Sequence, residues 1–174
     1  MTSSAPSGAS GRWVVAIAVV AAVAGAASDA HAQGNRRQPP PRVQPELRAD
    51  YIGARASAAH LGVGFSVPAG TYVRLGAVAA AGPAWAHGDA RLAGRVDALA
   101  RFVVDPFRES RWTPYAAGGV GALFDDEERW RAVLVAALGI EGPAASGVVP
   151  AVEVGFGGGV RVGIALRRAM PNRR

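Results

Sequence analysis

Across residues 90–104 apolar and polar side chains alternate almost without a break. Leu92, Gly94, Val96, Ala98, Ala100, Phe102 and Val104 hold the even positions, and Arg91, Arg95, Asp97, Leu99 and Arg101 hold the odd ones. Successive side chains of a strand point to opposite faces of its sheet. This segment therefore predicts a strand with one greasy face and one charged face. A helix would scatter Arg91, Arg95 and Asp97 around its circumference with no common stripe, so the helical reading fails here.

The same period of two returns along the chain. Trp130, Ala132, Leu134, Ala136, Leu138 and Ile140 alternate with Arg131, Val133, Val135, Gly139 and Glu141. Val152, Val154 and Phe156 oppose Ala151, Glu153 and Gly155, and Val160, Val162, Ile164 and Leu166 oppose Arg161, Gly163, Ala165 and Arg167. Leu61, Val63, Phe65 and Val67 alternate with His60, Gly62, Gly64 and Ser66, while Val73, Leu75, Ala77 and Ala79 alternate with Tyr72, Arg74 and Gly76. Two segments are less regular. In 46–57, Arg48 and Asp50 share a face that Arg55 does not, which a β-bulge would explain. The other, 113–124, is dominated by small residues. Turn-forming residues at 57–59, 68–70, 87–89, 105–112, 125–128, 142–147 and 157–159 separate the runs. Seven breaks make eight strands, so the expected fold is all-β: an eight-stranded antiparallel up-and-down barrel over residues 46–170.

Alternation alone does not separate a barrel in water from one in lipid. Strands of about ten residues match the length needed to cross a bilayer at a tilt near 45°, and an eight-stranded bore is narrow enough to be filled by its own side chains. An Arg turned toward lipid at mid-depth would cost about 2–4 kcal/mol. The charged face is thus expected to point inward, with Arg74, Arg91, Arg95, Asp97, Arg101, Arg131, Glu141, Glu153 and Arg161 forming an interior network in which Arg outnumbers acid. Aromatics gather near the strand ends. Trp85, Phe124 and Trp130 fall at one end, and Phe102, Phe107, Trp112 and Tyr115 at the other, as two interfacial girdles would require.

The amino-terminal part reads as an address. A polar start with a single Arg12 precedes the apolar run WVVAIAVVAAVAGAA at 13–27 and an Ala30-His31-Ala32 site, which together predict a cleaved signal peptide over 1–32. The apolar run is shorter than the roughly twenty residues a spanning helix needs. Residues 33–45, QGNRRQPPPRVQP, are expected to be an extended periplasmic leader that does not pair in a sheet, and 171–174 a short tail. The chain carries 19 Arg and no Lys, and a net charge of +6 would ordinarily raise nucleic-acid binding. Its cations, however, are spread at strand spacing rather than clustered, so no nucleic-acid partner is expected.

The stretch RWTPYAAGGVGALF at 111–124, and the closing EVGFGGGVRVGIALR at 153–167, resemble the outer-membrane β-barrel domain family that includes the small eight-stranded barrels. The resemblance covers residues 46–170. It implies residence in the outer membrane of a Gram-negative-type cell, with outer-membrane lipids and the outer-membrane assembly machinery as partners, and a structural or weakly permeable, porin-like role. One feature departs from the family. Such barrels end on an aromatic, most often Phe, whereas here Leu166, Arg167, Arg168, Ala169 and Met170 precede a Pro-Asn-Arg-Arg tail.

Catalysis needs a nucleophile, a base and an orienting group close together. His60 and Ser66 share a face but sit about 20 Å apart along one strand at roughly 3.3 Å per residue. The acids at 125–128 could ligate a cation, but four consecutive acids at a hairpin tip read more simply as a solvated loop. The 157–159 glycines are no phosphate cradle, because no helix follows them. Neither an enzyme nor a cofactor is expected. The alternative is a lipocalin-like or lateral-entry barrel that binds a small hydrophobic ligand.

Overall fold

The computed structural model describes residues 43–54, 56–86, 89–107, 109–125 and 130–169. The expected signal segment, most of the expected leader, Arg55, His87, the acids 126–128 and the tail lie outside the described residues. Eight strands follow in order: β1 (Gln44–Gly53), β2 (Ser57–Pro68), β3 (Val73–Ala86), β4 (Asp89–Val103), β5 (Thr113–Asp125), β6 (Trp130–Glu141), β7 (Val148–Phe156) and β8 (Val160–Arg168). Each pairs antiparallel with its chain neighbours, and β8 pairs with β1 to close the barrel.

No inserted residue breaks the registers. Carried round the ring from Glu46 through Gly64, Val78, Asp97, Gly121 and Val133, and on by the β6–β7, β7–β8 and β8–β1 registers, the offsets amount to a stagger of ten residues. For eight strands about 4.8 Å apart, with a rise of about 3.3 Å per residue, that stagger sets a tilt of about 40° and a ring of about 8 Å radius. At this tilt the nine-residue strands β7 and β8 rise about 23 Å along the axis, close to the apolar band of about 25 Å that a spanning barrel presents.

The connections β1–β2, β3–β4, β5–β6 and β7–β8 gather at one end, here the odd-hairpin end. Both ends of the barrel chain and the other three connections lie at the opposite, terminal end. The odd hairpin at 157–159 closes through a Gly157 N–H donating to the Gly159 carbonyl at 3.0 Å. Its middle residue, Gly158, has φ of +81°, a conformation that a side chain would strain.

Two boundary expectations are corrected. Gln44 and Pro45, assigned to the unpaired leader, are the first residues of β1 and lie opposite Ser66 and Phe65. Pro45 is the second residue of the strand and points outward, ahead of Glu46 where pairing with β8 begins, so its missing N–H is tolerated. The bulge expected in 46–57 is also absent: β1 ends at Gly53, and its pairing with β2 runs unbroken from Gln44↔Ser66 to Ile52↔Ala58. Arg55 follows the end of β1 in sequence and is not among the described residues, so its parity says nothing about the strand.

Candidate functional site

The inward face of β1 carries Gln44, Glu46, Arg48 and Asp50 in alternation with outward Leu47, Ala49 and Tyr51. Around the ring the bore receives Arg95, Asp97 and Arg101 from β4, Tyr115 from β5, Glu141 from β6, Glu153 from β7, and Arg161 and Arg167 from β8. Ten charged side chains, five Arg and five carboxylates, are each no more than 5% exposed. The enclosed set is therefore charge-balanced, not the Arg excess expected from the sequence. Arg74 joins it at the terminal end, half-buried, 3.8 Å from Glu141 and donating to Gln44 Oε1 at 3.1 Å.

Glu153 is the hub. Its Oε1 accepts from Tyr115 Oη at 2.7 Å and from Arg167 Nη2 at 2.8 Å, while its Oε2 pairs with Arg48 Nη2. Arg48 also donates Nε to Asp50 Oδ2 at 3.0 Å and Nη1 to Glu46 Oε1 at 3.3 Å. Both acids lie two residues away on its own strand. Arg167 reaches three carboxylates, with Nε to Glu46 and Nη1 to Glu141 both at 2.8 Å. Toward the odd-hairpin end, Asp97 Oδ2 accepts from Arg95 at 2.9 Å and from Arg161 at 3.0 Å, and Arg95 also pairs with Asp50. Such a network offsets the cost of taking charge out of water only when nearly every donor finds an acceptor.

Tyr115 is a correction. Placed by the sequence in an interfacial girdle, it shares the odd, inward parity of Thr113 and Ala117 and is 2% exposed. Its ring lies under two guanidinium groups, with Arg167 Cζ 4.9 Å and Arg101 Cζ 5.3 Å from the centroid, close enough for cation–π attraction. Gly139 sits opposite it on β6, and a Cβ there would run into the phenol ring. Arg91 and Arg131 are the second correction. They have inward parity but lie within two residues of the odd-hairpin ends of β4 and β6, where the bore opens, and both are exposed rather than enclosed. The other expected members, Arg74, Arg95, Asp97, Arg101, Glu141, Glu153 and Arg161, meet in the bore. Glu46, Arg48, Asp50 and Arg167 join them although the sequence reading did not include them.

His60 and Ser66 do not meet. His60 lies buried opposite Asp50 on β1, whereas Ser66 donates to Gln44 Oε1 at 3.4 Å near the terminal end. Beside Ser66, Arg74 and Arg101 a cavity of about 10 Å³ has room for a single water. Among the described residues no group of three or more His, Cys, Asp or Glu could hold a metal ion.

The outer wall is the inverse of the bore. Leu47, Leu61, Leu92, Val120, Leu134, Val154 and Ile164 are all at least half exposed, with Leu134 at 81%. No charged side chain interrupts the outward positions between the strand ends. A lipocalin-like barrel would require the opposite arrangement, polar outside and apolar within. Aromatics border the wall. Trp85, Trp130 and half-buried Phe124 lie at the odd-hairpin end with Tyr51 and Phe156. Phe102 and Trp112 lie at the terminal end with Phe107 and with Tyr72, whose ring stacks on Phe102 at 5.8 Å.

No protein-family model matches the chain, and no curated protein sequence matches it. Among solved structures the chain is similar to the de novo designed TMB2.3, at 16% identity and a TM-score of 0.50, over 78% of this chain and all of that one. It is also similar to the N-terminal β-barrel domain of Pseudomonas aeruginosa OprF, at 12% identity and a TM-score of 0.50, over 72% of this chain and 96% of that one. Both likenesses are of fold, a small closed barrel of nearly the same extent.

Proposed function

We propose that this protein is a small outer-membrane β-barrel with a structural, non-enzymatic role, its bore held shut by the ion-pair network and its wall solvated by lipid. The observation that carries the reading is the inside-out distribution: ten buried charges within, and a continuous exposed apolar surface outside. Monomeric proteins in water rarely expose apolar patches beyond a few hundred Å². In lipid each of these side chains is instead buried, a gain of about 1.5–3 kcal/mol for a Leu, Ile or Phe.

The remaining features take their places in this reading. The 1–32 segment exports the chain and is removed, and the assembly machinery inserts the barrel. The termini face the periplasm, which turns the odd hairpins outward. Trp85, Phe124 and Trp130 sit at one interface and Phe102 and Trp112 at the other, while no cofactor takes part. The enclosed charges leave little room for permeation, so the barrel contributes to the membrane as a rigid element rather than a pore. The test is refolding by dilution from urea into phosphatidylcholine vesicles. Insertion into the protease-protected, β-rich form supports the reading, whereas a soluble folded protein that ignores vesicles refutes it.

A further inference from the structure

On the inward faces of β3 and β4, near the terminal end, Arg74 lies directly opposite Arg101. Opposed residues of neighbouring strands hold their Cβ atoms about 4.5–5.5 Å apart, and like charges so placed repel. Glu46 does not relieve the pair alone, because its two oxygens already take Arg48 and Arg167 as well as Arg101. Arg101 spends Nη2 on Glu46 at 3.2 Å, and its buried Nε and Nη1 have no acceptor among the described residues. Both arginines line the cavity of about 10 Å³, together with Glu46, Ser66 and Gly76. Its origin is local. Gly76 stands between Arg74 and Val78 on the inward face of β3, so the strand offers no side chain there to fill the space.

The wall of this cavity is short of acceptors, not donors. A guanidinium brings about five N–H donors and a carboxylate about four acceptor sites. Five enclosed Arg therefore exceed five enclosed carboxylates in hydrogen-bonding capacity although their charges balance. The shortfall shows in Arg95 Nε and Arg161 Nη2 as well as in Arg101, all buried donors without a hydrogen-bond partner. A water that accepted from Arg101 would bring two protons of its own to place. A monatomic anion accepts from every side, donates nothing, and offsets the repulsion between Arg74 and Arg101.

We propose that this cavity binds one halide ion, chloride in the cell, between Arg74 and Arg101. Ser66, whose hydroxyl makes only a long 3.4 Å bond to Gln44 Oε1, supplies a further donor. Glu46 shares the wall, but its three guanidinium partners neutralise it toward the ion. A volume close to that of one water admits a monatomic ion and shuts out sulfate, phosphate and carboxylates. Half-buried Arg74 yields the small extra room that a halide needs. The site depends on the bore, not on what surrounds the wall, so it goes beyond the membrane reading.

The experiment uses the full chain refolded in zwitterionic detergent micelles and dialysed against radiolabelled chloride, with isethionate holding the ionic strength constant. The unaltered protein is expected to bind about one chloride per barrel, displaced by bromide and not by sulfate. Arg101→Gln is expected to lower bound chloride at least fivefold. Ser66→Val, which puts a methyl group into the cavity and keeps both arginines, is expected to do the same, and it decides the matter by itself if Arg101→Gln does not fold. Arg91→Gln removes the same charge at the exposed odd-hairpin rim and is expected to leave binding unchanged. No bound chloride in the unaltered protein overturns the proposal in favour of a water. Equal binding in all the variants overturns it in favour of diffuse attraction to a cationic chain. Displacement by sulfate as readily as by bromide, or full binding in Ser66→Val, overturns the cavity as the place where the ion sits.

Discussion

Replacing Glu153 with Gln removes the carboxylate on which β1, β5 and β8 converge. Its two oxygens take Tyr115 Oη, Arg167 Nη2 and Arg48 Nη2, and Arg161 Nη2 lies 3.6 Å away. The substitution preserves volume but leaves five buried Arg facing four carboxylates in a bore shut from solvent. Breaking a buried pair by neutralising one partner costs about 3–5 kcal/mol, chiefly because the remaining charge stays buried without compensation. With a urea slope of about 2 kcal/mol/M, the unfolding midpoint should fall by about 1.5–2.5 M. The assay is urea unfolding in phospholipid vesicles followed by Trp fluorescence, since Trp85, Trp112 and Trp130 all lie off the bore. Glu109→Gln in the exposed β4–β5 connection is the control and should stay within about 0.5 kcal/mol. Pairing Glu153→Gln with Arg48→Gln should recover part of the loss, with a coupling of about 1–3 kcal/mol. A midpoint shift below about 0.5 M for Glu153→Gln, or strict additivity with Arg48→Gln, would refute the idea that a coupled network holds the bore.

The same geometry fixes four further outcomes. Leu134→Arg, at the most exposed large residue of β6, should cost about 2–4 kcal/mol in vesicles because it turns a charge toward lipid; a neutral effect on the vesicle unfolding curve would place that wall in water. Tyr115→Phe should lose about 1.5–3 kcal/mol with the hydroxyl that joins Glu153 to Arg167. Gly139→Ala, whose Cβ would meet the ring itself, should cost a comparable amount, and that cost should persist in the Tyr115→Phe background because Phe keeps the ring, as read from the same curves. In planar bilayers the unaltered barrel should give no steady conductance steps, and regular large steps would contradict the occluded bore.

The alternation in β4, β6, β7 and β8 was legible because large apolar residues and charges take opposite parities there, and those strands set the fold. β1 was harder to read. Gln44, Glu46, Arg48 and Asp50 alternate cleanly with Leu47, Ala49 and Tyr51, but taking Arg55 as part of the same strand broke the parity and hid four inward residues. Strand ends are the reason, since a period of two says which face a residue occupies only while the strand lasts. Tyr115 was misplaced for a related cause. A Tyr near a strand end suits an interface, and the small residues around it mark neither face, so its inward parity is legible only from its register opposite Val103 and Gly139. Arg91 and Arg131 show the reverse, because inward parity encloses a side chain only where the ring around it is complete.

The central claim, an apolar wall in lipid around a charged bore, is tested most directly in the expressing cell. The membrane fractions are separated and the protein is run unboiled and boiled on a gel. The protein should sediment with the outer membrane, and boiling should change its mobility, as a closed barrel that resists detergent must. Release as a soluble periplasmic protein with one mobility would mean that the apolar wall does not sit in lipid.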